Sequence, residues 1–134
     1  MDTKKFAIAT VAGGVVLLLT GFVFYGVLLR DFMAANSAPG VMKEVPDMAP
    51  LVLGELCIAA FLTLILSRWE GITSFGAGAK SGAVLGLLFA LGLNLVFYAT
   101  MNMIEAVAIP ADTVVNTIRM CLAGGVIGLV LGRS

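Results

Sequence analysis

The sequence predicts an all-α polytopic membrane protein: one transmembrane domain over residues 1–134, with four spanning helices arranged as two parallel-repeat hairpins. Three observations predict it. Hydrophobic residues make up 60% of the chain and charged residues only 12%, where a soluble domain carries about 25% charge. The apolar residues gather into four runs close to the roughly 20 residues that a helix needs to cross the hydrocarbon core. The segments between the runs are too short to fold as a separate soluble module.

The first span is expected over residues 6–29. It holds no charge and follows Lys4 and Lys5. A basic start before an apolar run resembles a signal peptide, but the run is far longer than a signal core of roughly 7–15 residues. It therefore reads as an uncleaved span. The second is expected over 51–67, with Pro50 at its start, where a helix has no use for the missing N–H. The third is expected over 82–101. The fourth, over 114–132, includes Asn116 and Arg119, so its apolar part from Met120 onward is expected to insert with help from the other three.

The connections are expected at 30–49, with Pro39, Gly40 and Pro46; at 68–81, rich in glycine; and at 102–113, with Glu105, Pro110 and Asp112. Lys4, Lys5, Arg68, Lys80 and Arg133 fall on one side of the four runs, against Arg30 and Lys43 on the other, with Arg119 just inside the membrane there. The excess of basic residues marks the cytoplasmic side. The expectation is a multi-pass protein of the bacterial inner (plasma) membrane with both termini cytoplasmic.

The halves of the chain echo each other. Val23-Phe24-Tyr25 recurs as Val96-Phe97-Tyr98, Gly13 aligns with Gly86, and Cys57-Ile58-Ala59-Ala60 parallels Cys121-Leu122-Ala123-Gly124. Both hairpins enter from the same side, so the repeat is parallel, with its axis along the membrane normal. Gly78, Gly82 and Gly86 recur every fourth residue, as do Gly124, Gly128 and Gly132. Such rows let helix backbones approach closely in lipid, either within one chain or as a homo-oligomer seam.

The same alignment places Glu55 and Arg119 at equivalent positions, two residues before each cysteine. Glu55 is expected roughly 7 Å into its span, at 1.5 Å per residue. A charge at mid-membrane costs at least about 2.5–3.5 kcal/mol, so the two are expected to pair. The pair either stabilises the bundle or contacts a ligand. Tyr25, Tyr98, Asn94, Asn102 and Thr100 fall toward the same face and are the remaining candidates for a shallow polar pocket. For the tyrosines, an interfacial aromatic belt is the plainer reading, as it is for Trp69 on the other side.

Much is excluded. The chain has no histidine, and its two cysteines lie in separate apolar runs, so neither a metal site nor a cofactor is expected. Paired carboxylates, phosphate loops and nucleophile–base pairs are absent from the motifs, and no enzyme activity is expected. A net charge of zero leaves no basic stripe for nucleic acid.

The run Gly21-Phe22-Val23-Phe24-Tyr25-Gly26-Val27-Leu28-Leu29, followed by Asp31-Phe32-Met33, resembles small bacterial four-helix inner-membrane proteins of a domain-of-unknown-function family. Phe24 stands where tryptophan would be commoner. The resemblance implies the four-span layout and no activity. The function expected is that of an accessory or scaffolding subunit of a membrane assembly, in contact with lipids and with other membrane proteins or itself. The alternative is a small transporter or channel protomer working as a homo-oligomer.

Overall fold

A computed structural model describes residues 2–43 and 45–133. Helix α1, Thr3–Gly21, continues without a break into a π-helical stretch, Phe22–Leu28; then follow α2, Arg30–Ala35; α3, Met48–Arg68; α4, Phe75–Thr100; and α5, Ala108–Leu131. Among the described residues four helices, counting Thr3–Leu28 as one, are long and apolar enough to cross a membrane. The fold is all-α, a four-helix membrane bundle.

The four long helices start at residues suited to a helix end. The Asp2 carboxylate accepts from Lys4 N at 3.1 Å, and Ser74 Oγ accepts from Ala77 N at 3.2 Å, so α1 and α4 begin on side-chain caps. Pro50 and Pro110 each sit in the first turn of a helix, where no intrahelical donor is lost. Gly71, at φ +82°, turns the chain between α3 and α4.

The spans are longer than the apolar runs alone indicate, and two start well outside them. Helix α4 begins at Phe75 and not at 82, so the glycine-rich stretch read as a loop is mostly helix. Gly78 and, just beyond the stretch, Gly82 are held there by close packing on α5. Helix α5 begins at Ala108 and not at 114, which draws Asp112 out of the expected loop and into the bundle. The short helix α2 lies in a segment expected to be irregular.

Helices α1 and α5 form the centre. Helix α1 packs along both α3 and α5, and α4 packs along α5, whereas α3 meets α5 lightly and α4 hardly at all. The two hairpins are thus not packed alike. The difference lies in the glycines: a Cβ on Gly78 or Gly124 would fall on the other's carbonyl, and one on Gly82 on the Met120 carbonyl. Backbone meets backbone there, and the two glycine rows face each other within one chain. On α1, Gly13 and Gly14 instead receive the side chains of Ile127 and Leu56. The core between α1, α3 and α5 is Ala9, Leu17, Ala59, Leu62, Leu66, Met120, Ala123 and Ile127. Large apolar side chains such as Leu19, Phe61, Leu88 and Phe89 point outward, as lipid permits.

At one end, the segment after α2 and the segment after α4 are clipped together. Ala38 N donates to Met103 O at 2.7 Å and Glu105 N to Asn36 O at 2.8 Å, around an antiparallel bridge of Ser37 and Ile104. This clip closes the end of the bundle nearest the polar residues described next.

A candidate functional site inside the bundle

Glu55 and Arg119 meet inside the bundle, Nη2 to Oε1, at 2.6 Å, with residue exposures of 9% and 8%. The arginine is held by far more than its carboxylate. Its Nη2 also donates to the Leu17 carbonyl at 2.7 Å, its Nη1 to Asn116 Oδ1 at 3.0 Å, and its Nε to Thr20 Oγ1 at 3.3 Å. The guanidinium carbon lies 5.8 Å from the centroid of the Tyr25 ring. A planar fork with five donors is the one side chain that can serve α1, α3 and its own helix at once. Gly21 makes room for it: a Cβ there would stand 2.9 Å from Nη2.

A second carboxylate completes the cluster. Asp112 Oδ1 accepts from the Tyr25 hydroxyl at 2.5 Å, and Oδ2 from Asn94 Nδ2 at 2.7 Å and Asn116 Nδ2 at 3.2 Å. Asn116 Nδ2 reaches the Tyr25 oxygen as well, at 3.0 Å, and so links the two halves of the network. Asn94, only 8% exposed, is the contribution of α4, and it also lies 3.4 Å from Thr113 Oγ1. The network therefore runs Glu55, Arg119, Asn116, Tyr25, Asp112, Asn94, and it touches all four spans.

Local backbone explains how Tyr25 comes to be there. In a regular α-helix the position facing α5 after Leu17 and Gly21 would fall nearer Phe24. The π-helical stretch closes i→i+5 bonds, such as Leu29 N to Phe24 O at 2.7 Å, and each wider turn uses about one more residue. That carries the inward position on to Tyr25.

Of the residues singled out in the sequence, Glu55, Arg119, Tyr25 and Asn94 come together. Tyr98 is 49% exposed and stands on the outer side of α4, and Asn102 is exposed beyond its end. Thr100 turns back to donate to its own Val96 carbonyl at 2.7 Å. None of these three hydrogen-bonds into the network. Sequence reasoning missed Asp112, Asn116, Thr20 and Gly21. For the first two a signal existed: Asp112, Asn116 and Arg119 follow i, i+4, i+7 spacing, one stripe of a helix.

The cluster holds two carboxylates and one guanidinium in a setting with few other charges. Nearly every polar atom is satisfied; the exception is Glu55 Oε2, which is buried and has no partner. Among the described residues no group of three or more metal-binding side chains occurs, and both cysteines are free thiols on different helices. What this arrangement does chemically is hold charge, fixing four helices through a shared set of hydrogen bonds. No protein-family model, curated protein or solved structure matches the chain.

Proposed function

We propose that this chain is a non-catalytic accessory or scaffolding subunit of a bacterial inner-membrane assembly, with both ends cytoplasmic. It acts through contacts with lipid and with other membrane proteins. One observation carries the reading. Helix α4 is seated almost wholly on α5, and from Leu91 to Thr100 only its Asn94 is buried. The outer side of this half-helix presents Leu91, Leu95, Val96 and Phe97 to the surroundings, around Gly92, where a Cβ would meet nothing within 4 Å. An open glycine in a leucine-rich face suits the close approach of another helix, because packing replaces the hydrophobic effect as the driving force in lipid. The closed polar interior fits the same reading, since it ties the helices together and lines no passage. The resemblance of the 21–29 run supports the membrane, and the excess of Lys and Arg on the side of the two termini and the middle loop supports the orientation.

The test is the mass of the intact protein drawn gently from its native membrane. Other polypeptides in fixed ratio are expected, and Gly92→Leu is expected to release them while leaving the bundle folded. A chain that travels alone in the unaltered form would sink the proposal.

A second reading, a transporter or channel protomer working as a homo-oligomer, is favoured by one observation, the unpartnered Glu55 Oε2 beside Arg119. An ionisable residue kept inside the membrane is a frequent mark of a substrate or ion path. The parallel repeat, which aligns Glu55 with Arg119, belongs with this reading. Glu55→Gln in liposomes should then abolish flux from a correctly folded protein; flux equal to the unaltered chain would dismiss it.

A further inference from the structure

At the end of the bundle opposite the clip, a cleft of about 360 Å³ opens between the start of α1 and the end of α3, lined by Thr3, Phe6, Leu64, Ser67 and Arg68. Its lining is sorted by chemistry along the membrane normal. Thr3 and Arg68 offer a hydroxyl and a guanidinium at the helix ends, Ser67 having turned its own hydroxyl back to the Leu64 carbonyl at 2.9 Å, and Phe6 and Leu64 continue inward as an apolar wall. A second hollow of about 250 Å³ adjoins it through Ser67 and includes Lys5 and Trp69. Lys4, Lys5, Arg68 and Arg133 gather at this end. Of the acids nearby, Asp2 is engaged as the cap of α1, accepting from Lys4 N, and Glu70 is exposed at the turn. Lys5 donates to the Arg133 carbonyl, which ties the first turn of α1 to the end of α5 beside the hollows.

We propose that this cleft binds one anionic phospholipid, its phosphate held by Arg68 and Thr3 and its upper acyl chain laid along Phe6 and Leu64. The shape argues for a lipid rather than a soluble anion, because the polar end leads straight onto apolar surface. The charge argues for an anionic headgroup: basic residues near a membrane surface each favour anionic lipid, and four stand here against two acids. The inference rests on the bundle lying in a bilayer and on neither functional reading above.

Trp69, the single tryptophan of the chain, lies beside the cleft and reports on it without a label. The protein is reconstituted in phosphatidylcholine vesicles containing increasing fractions of lipid brominated high on the acyl chain, either phosphatidylglycerol or phosphatidylcholine. Bromine quenches tryptophan at short range. Half-quenching is expected at a lower mole fraction of brominated phosphatidylglycerol, and Arg68→Gln should reduce that preference about five-fold, the worth of one cation near a charged surface. Lys43→Gln, at the opposite end, should leave it unchanged. Equal quenching by the two lipids overturns the proposal, as does a preference that survives Arg68→Gln. A preference erased by inorganic phosphate, but not by chloride at equal ionic strength, also overturns it, because the cleft would then recognise a free anion. Quenching by brominated phosphatidylcholine, the same in each variant, shows that the bundle has kept its shape.

Discussion

Arg119 is bonded to four groups from three helices, and removing it leaves more than a lost ion pair. Glu55 would stay buried with neither oxygen satisfied, and the Leu17 carbonyl, Asn116 and Thr20 would each lose a donor. Breaking a buried pair from one side costs about 3–5 kcal/mol, so Arg119→Ala is expected to lower stability by that order in a reversible unfolding assay in detergent. Reversing the pair, Glu55→Arg with Arg119→Glu, should do better than either single reversal yet fall short of the unaltered protein. An arginine at 55 starts from α3 and is not aimed at Leu17 or Thr20. Tyr25→Phe removes a donor to a carboxylate, worth about 1.5–3 kcal/mol, while Tyr98→Phe on the outside should stay within about 0.5 kcal/mol. The same unfolding assay compares them. Gly21→Ala adds a carbon at 2.9 Å from a guanidinium that its other partners pin in place. The gain in helix propensity, about 0.8–1 kcal/mol, is expected to lose to overpacking of about 1–3 kcal/mol.

Between helices, the α4–α5 seam is the tightest contact, and it is made of backbone. Gly82→Leu would drive a side chain into the Met120 carbonyl, which cannot turn aside as a side-chain tip can. The two helices must part, and with them Asn94 from Asp112. Loss of the folded bundle, followed by circular dichroism during heating, is expected for Gly82→Leu, whereas Gly92→Ala should match or slightly exceed the unaltered protein. The seam was legible in the sequence as two glycine rows, though not which surface each row would meet. The four spans were legible from apolar length, and Glu55 and Arg119 from the cost of charge in an apolar run. Asp112 was passed over: Pro110 and the polar residues around it read as a loop, although Pro110 suits a first helical turn and Asp112 lies on one stripe with Asn116 and Arg119. The inward turn of Tyr25 was not legible, because it depends on a π-helical widening that leaves no mark in composition. Tyr98, its counterpart in the repeat, keeps a regular helix and faces out. Tyr25 has α5 packed against it, whereas from Leu95 to Thr100 nothing of α4 is buried.

For the whole molecule, an up-and-down path places the turn after α3 on one side of the membrane and the long segment before it on the other. With both native cysteines replaced, Glu70→Cys should react with a membrane-impermeant thiol reagent only from the cytoplasmic side, and Met42→Cys only from the opposite one. Labelling of both from one side would contradict the four-span path, and a swap of the two would contradict the orientation. The central ion pair also joins residues 64 positions apart, one in the second span and one in the last. A ribosome adds about 5–20 residues per second, so roughly 3–13 s separate the synthesis of Glu55 from that of Arg119. For that interval the nascent chain carries an acid with no arginine yet made to meet it. Until the last helix emerges, Glu55 either stays neutral by holding a proton or remains near water. A chain cut short after Thr100 never leaves that state, since the arginine that meets Glu55 is absent from it.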